Sequence, residues 1–208
     1  MYMDATDAIF YILILVMSVV IHEVAHGYMA LRYGDKTALY EGRLTLNPIP
    51  HLDLFGSIIL PALLFFSGSP FMIGWAKPVP YNPDNLSDRK WGSIAVAAAG
   101  ILANLSLAVI FGLILRFTSG IQMPDGFSSI ISLIVVVNLV LAIFNLVPIP
   151  PLDGSKILYP LLPTSFQPII SFIEQFALIF LIVFILFFSD SIYPILSFLF
   201  QLITGTPL

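Results

Sequence analysis

His22, Glu23 and His26 lie close together near the end of an otherwise apolar stretch, Ala8 to Tyr28. On a helix, residues at i and i+4 share a face, with Cβ atoms about 5–6 Å apart. Two imidazole nitrogens so placed can meet one metal ion. Glu23, adjacent in sequence and close to the same face, can reach a metal-bound water and take its proton. In lipid, a charged residue at mid-span costs about 2.5–3.5 kcal/mol on insertion scales. The three ionisable residues therefore need a partner, and a divalent cation supplies one. The alternative is a His/Glu hydrogen-bond network or proton relay.

A catalytic zinc takes three protein ligands plus water. The chain has no cysteine, so disulfides and thiolate ligands are excluded, and the third ligand must be His or carboxylate. The candidates near apolar segments are His51, Asp53, Asp153, Glu174 and Asp190. Asp153 is the best placed. It follows directly on an apolar run, in a stretch from Asn145 to Gly154 that carries Pro148, Pro150 and Pro151. Irregular backbone near a membrane is tolerated where it is buried in protein or lines a wet cavity. A plain surface turn capped by the Asp153 side chain is the alternative.

These residues need elements to carry them. Of 208 residues, 59% are hydrophobic and 10% charged, and mean hydropathy is +1.01. A soluble domain carries roughly 25% charged residues, so lipid is the expected solvent for most of the chain. Net charge is −4 with no basic run, which argues against nucleic acid as a partner. The first apolar segment lacks a basic leader and a small-residue cleavage site, and it carries the His/Glu cluster, so it does not read as a disposable signal peptide.

A spanning helix needs about 20 apolar residues. Ala8–Tyr28, Ser93–Phe117, Phe127–Val147 and Ile169–Phe188 meet that length. Leu54–Phe66 is short, contains Pro61 and runs into Ser67, Gly68, Ser69 and Pro70, which predicts a re-entrant or broken hairpin. Ile192–Ile203 is expected at the interface or as a half-helix. Thr37–Asn47 alternates loosely around Gly42 and predicts a short β-hairpin. The expected fold is an all-α polytopic membrane protein of about four to six transmembrane helices, with that hairpin near the cytoplasmic surface. Residues 1–208 form one domain, with a core over 8–160 and C-terminal helices over 161–208.

The chain resembles the site-2 protease family of intramembrane zinc metalloproteases. The resemblance rests on His22-Glu23-x-x-His26-Gly27, on Asn145-x-x-Pro148-x-Pro150-x-x-Asp153-Gly154 and on Ala99-Gly100-x-x-x-Asn104. It covers most of residues 8 to 160. It implies one zinc ion per chain, with His22, His26 and Asp153 as ligands and Glu23 as the catalytic acid/base. Asn104 and Asn145 are implied as polar groups that orient substrate or the oxyanion. Ile101 and Ser155 depart from the family pattern, which often has Pro and Gly there. Inserted PDZ and C-terminal CBS modules, common in the family, are absent. The stretch from Gly42 to Gly56, with Gly74 to Pro78, looks like a bacterial subgroup.

Charge gives an independent topology. His26 and Asp153 must sit at the same depth, so the ends of the first and third spans share a side. Arg32, Lys36, Arg43, Lys77, Arg89, Lys90 and Lys156 fall on that side, and Arg116 lies toward the other. The positive-inside rule makes the site-bearing side cytoplasmic and turns the N-terminus, with Asp4 and Asp7, outward. The family implies single-span membrane proteins as substrates. A helical substrate must unwind before its backbone is attacked, and the Thr37–Asn47 hairpin, through Leu44 and Leu46, is expected to clamp the unwound strand. His51 is open to three readings, a fourth ligand, a hydrogen bonder beside the site or a structural loop residue, and a role near the site is favoured. Two rival functions are a membrane metal transporter and an inactive zinc-binding scaffold. Homo-oligomerisation is left open.

Overall fold

The computed structural model describes residues 5–60, 63, 66, 67, 75–118, 121, 124 and 126–208. Among these described residues, three helices are long and apolar enough to cross a membrane. They lie in α1 (Ala5–Arg32), α2 (Arg89–Thr118) and α3 (Phe127–Asn145). A short helix, α4 (Asp153–Leu158), follows the proline-rich turn after α3. The chain ends in α5 (Gln167–Gln175), α6 (Ala177–Phe188) and α7 (Ile192–Thr204).

The core forms where α2, α3 and α7 meet. Ala108, Val135, Leu139, Leu196 and Phe200 are buried together there. Gly112 of α2 admits Ile203 of α7, whose Cγ2 would collide with a Cβ at that position. Close approach through small residues is how helices gain packing energy in lipid, where water supplies no drive between apolar faces. The short α7 is thus a packed half-helix. Its outer residues Tyr193, Ile195, Phe198 and Leu202 stay exposed, as lipid-facing positions do.

Two expectations are corrected. Among the described residues there is no strand, so the β-hairpin over Thr37–Asn47 does not form. Asp35 decides this. Its Oδ1 accepts the Thr37 N–H at 3.1 Å and the Thr37 hydroxyl at 2.6 Å, starting one helical turn over Thr37–Tyr40. Gly42, at φ +64°, then reverses the chain. The alternation that suggested a strand instead drives Arg43 inward and leaves Leu46 outside. The clamp by edge pairing through Leu44 and Leu46 falls with the strand. Second, the fourth apolar run is broken. Helices over Thr164–Gln175 and Ala177–Phe188 meet at 76°, so the described residues hold three such helices, or up to four if the bent pair is one span. The polar Glu174-Gln175 pair sits at the break, with the Phe172, Phe176 and Phe180 rings packed across it at 4.9 and 6.1 Å between centroids.

The residues just after His51 are bonded to Trp75, while most of the predicted re-entrant stretch between them lies outside the described residues. Leu54–Ile59 forms a π-type turn capped by Asp53, whose Oδ1 accepts the Gly56 N–H at 2.6 Å. Trp75 N–H donates to Gly56 O at 3.2 Å, and the Ser57 hydroxyl donates to Trp75 O at 2.7 Å. Pro61, Gly68, Ser69, Pro70 and Gly74 lie outside the described residues.

Candidate metal centre

Helix α1 places His22 and His26 one turn apart, with ring centroids 4.5 Å apart and planes perpendicular. Asp153 reaches them from the start of α4. Its Oδ2 lies 3.0 Å from His22 Nε2 and 3.1 Å from His26 Nε2. All three side chains are buried, and their ligating atoms fall within 4.8 Å of one another. The turn that delivers Asp153 depends on Gly154, where a Cβ would strike the Leu146 carbonyl. Lys156 Nζ stands 3.2 Å from the other carboxylate oxygen, Oδ1.

The rest of the environment comes from α2 and α3. His26 Nδ1–H donates to Val96 O at 2.7 Å. His22 Nδ1 lies 2.5 Å from Asn104 Oδ1. A chain of amides fixes the sense of this contact. Asn138 Nδ2 donates to the Ile134 carbonyl at 2.9 Å and to the Ser18 hydroxyl at 3.0 Å. Asn138 Oδ1 is therefore the acceptor for Asn104 Nδ2, at 2.8 Å, and the same amide donates to Ser18 O at 3.3 Å. That leaves Asn104 Oδ1 facing His22, so His22 carries its proton on Nδ1. Asn104 and Asn138 have no exposed surface. Such outer contacts set the tautomer and the aim of a ligating imidazole.

With Nδ1 turned outward in both rings, each Nε2 faces the Asp153 carboxylate. Each Nε2 stands about 3 Å from the same carboxylate oxygen, so one cation among the three atoms could be held by all of them. Two nitrogens and one carboxylate oxygen are a ligand set of catalytic zinc sites. Ligand atoms on a tetrahedral zinc with bonds of about 2.0–2.1 Å stand about 3.3 Å apart, close to the two nitrogen–oxygen separations here. The residues fit the ion.

A cavity of about 140 Å³ opens beside the cluster, lined by His22, Glu23, His26, Asn145 and Asp153 together with Val79 and Tyr81. Glu23 is half-buried in this wall, and its Oε2 accepts the Val79 N–H at 2.8 Å. Asn145 reaches the cavity while its Nδ2 donates to Leu141 O at 2.9 Å. Helix α2 approaches closely because Gly100 carries no side chain. A Cβ there would lie 2.5 Å from His26 Cε1 and 2.6 Å from His22 Nε2.

The structure thus brings His22, Glu23, His26, Asp153 and Asn145 to one cavity, with Asn104 behind His22. His51 stands apart. Its Nε2–H donates to Thr45 O at 2.9 Å, so that nitrogen is engaged, and the ring does not line the cavity. It is a buried loop residue and not a member of the cluster. Leu44 packs at Gly27 of α1. Ser18, Val96 and Asn138 were missed from the sequence. A polar residue inside an apolar span is the signal that marks Asn138, and Ser18 sits one turn before His22 on the same helix.

The profile of peptidase family M50 matches residues 121–188, which include Asp153. A Bacillus subtilis (strain 168) protein named "Putative zinc metalloprotease YwhC" is 38% identical over 181 residues, covering 84% of this chain and 79% of that protein. "Putative zinc metalloprotease Rip2" of Mycolicibacterium smegmatis is 33% identical over 178 residues, covering 85% of this chain and 65% of its own length. "Putative zinc metalloprotease MJ0611" of Methanocaldococcus jannaschii is 33% identical over 147 residues, covering 67% and 63%. No solved structure matches the chain. With the Bacillus relative 38% identical over 84% of this chain, the chain belongs to peptidase family M50, the site-2 protease family.

Proposed function

We propose that this protein is an intramembrane zinc endopeptidase that hydrolyses peptide bonds in single-span membrane proteins. The observation that carries this reading is the convergence of His22 Nε2, His26 Nε2 and Asp153 Oδ2 beside a cavity that also holds Glu23. These three atoms would hold zinc, which supplies Lewis-acid polarisation of a carbonyl and acidifies water.

The chain's own groups do the rest. Glu23 takes a proton from the attacking water on a carboxylate oxygen. The water oxygen bonds to the peptide carbon, the C–N bond breaks, and Glu23 delivers its proton to the departing nitrogen, leaving a carboxylate and an amine. Lys156 holds Asp153 Oδ1 by charge, so Oδ2 stays aimed at the imidazoles. Asn145 offers its amide to the polarised carbonyl. Helices α1, α2 and α3 exclude bulk water from three sides, which strengthens each electrostatic contact inside. The asymmetry of Lys and Arg supports a site that opens to the cytoplasm, with the N-terminus outside.

The test uses purified protein in detergent. Wild type should bind about one zinc per chain and cleave single-span substrates. Glu23→Gln should keep its zinc and lose cleavage. A metal transporter or scaffold would be indifferent to that change, and a wild type without zinc would end the reading.

A further inference from the structure

Residues 77–82 run as an irregular strap along one wall of the cavity, and they are fixed at both ends. At one end the Lys77 N–H donates to His51 O at 2.8 Å. There the Arg43 guanidinium grips two successive carbonyls, with Nη2 2.8 Å from Lys77 O and 3.1 Å from Pro78 O. Arg43 is only 4% exposed, an unusual position for a side chain that normally keeps its charge in water. At the other end the Asn82 N–H donates to Asp35 Oδ2 at 2.7 Å, and the Asn85 amide donates to Oδ1 at 3.0 Å.

Between these anchors the sequence is Pro78-Val79-Pro80. Proline has no N–H and a fixed φ. Val79 therefore carries the one backbone donor between Lys77 and Tyr81, on a segment stiffened from both sides. That donor points at Glu23. The Val79 side chain is buried on α1 at Gly27, where a Cβ would come within 2.9 Å of Val79 Cγ1. The strap is seated on the helix one turn from Glu23, and Pro78, Val79 and Tyr81 form part of the cavity wall.

We infer that the strap positions Glu23, and that Arg43 is a positioning residue acting through it. The Val79 N–H holds Oε2 and leaves Oε1 to face the reacting water. Glutamate has three rotatable bonds, and a carboxylate that must find its orientation in each turnover loses the benefit of proximity. A rigid backbone donor removes that freedom before substrate arrives. Arg43 sets where the donor stands by fixing the two carbonyls just before it. This role rests on the peptidase reading, since it concerns how Glu23 moves a proton.

The decisive variant replaces the Val79 residue by its α-hydroxy acid, turning the N–H into an ester oxygen with the side chain unchanged. It is assayed beside wild type, Glu23→Gln, Arg43→Met and Arg43→Lys, each with its zinc content measured. The ester should lower kcat by about 10–100-fold, the scale of a misplaced catalytic group, with KM and zinc content unchanged. Arg43→Met should do the same, and Arg43→Lys, which keeps a charged N–H donor group, should recover part of the loss. An ester variant that cleaves as fast as wild type overturns the proposal. One that cleaves faster also overturns it, since the contact would then be a latch. If wild type and Glu23→Gln do not differ, the peptidase reading itself fails, and that result is separate from any effect of the strap.

Discussion

Gly100 of α2 faces His22 of α1 so closely that a single added carbon would stand 2.6 Å from the imidazole Nε2. The metal-facing edge of the ring is therefore set by the absence of a side chain on another helix. Gly100→Ala should displace both imidazoles or push the helices apart. Overpacking of this kind costs about 1–3 kcal/mol. Zinc affinity should fall on the order of tenfold or more, measured by competition with a chelator of known affinity, while the protein still inserts. Retention of full affinity would show that the helices re-space without moving the rings.

The amide chain predicts an effect from a residue that touches no ligand. Asn138→Leu removes the acceptor that holds Asn104 in its orientation, and Asn104 can then rotate away from His22. Zinc affinity should drop about 10–100-fold, as for other outer contacts of ligating histidines. Loss of a buried amide partner should also cost about 1–3 kcal/mol of stability. Isothermal titration with zinc separates the two, because a purely structural defect lowers the melting temperature without changing the affinity of the folded fraction.

Removal of the ion makes a third prediction. Stripping zinc leaves both Nε2 atoms 3.0–3.1 Å from the Asp153 carboxylate with no ion among them. Chelation should abolish cleavage and lower thermal stability, and zinc should restore both. At a zinc concentration 100 times the Kd the linkage is worth about 2.7 kcal/mol. Magnesium, which prefers six oxygen ligands, should not restore either one.

Asp35 gives the protein an acid limit away from the metal. Burial works against its ionisation, but the Thr37 hydroxyl, the Asn85 amide and the N–H groups of Asn82 and Thr37 outweigh it and hold the carboxyl below its ordinary value. The folded state thus binds fewer protons than the unfolded chain near that pH. The stabilisation is complete above the unfolded carboxylate value of about 3.9 and is lost as pH falls through the lower folded value. The melting-temperature gap between wild type and Asp35→Ala should stay constant from pH 6 down to about pH 4 and narrow below it as the carboxylate is protonated. A gap that does not narrow would mean that the loop is held by something other than the ionised carboxylate.

The absence of cysteine makes the proposed orientation easy to test. Lys36 and Ile121 are exposed and lie beyond opposite ends of the spans. In intact cells, Lys36→Cys should resist an impermeant thiol reagent and Ile121→Cys should react. The reverse pattern would place the site outside the cytoplasm.

Part of this molecule was legible in its sequence because the chemistry used short spacings. His22 and His26 share a helix face by their four-residue offset, and the prolines before Asp153 announce an irregular turn that only a buried role tolerates. The three long helices followed from apolar length alone. The hairpin failed because alternation over a few residues is weak evidence, and one side chain, Asp35, captured Thr37 and started a helical turn instead. The break at Phe176 carries no Pro or Gly, so length and hydropathy ran straight through it. Asn138 looked like one polar residue in a span. Its meaning depends on Ser18 and Asn104, which only helix packing brings to it.

The cluster joins side chains 131 residues apart. A ribosome releases His22 and His26 long before Asp153, and until α4 has been made and folded onto α1 the nascent chain has two imidazoles and no third ligand. On the proposed function, hydrolysis is thus withheld through most of the protein's own synthesis. The order of residues along the chain works as a safety catch that is released only when the last essential turn has been made.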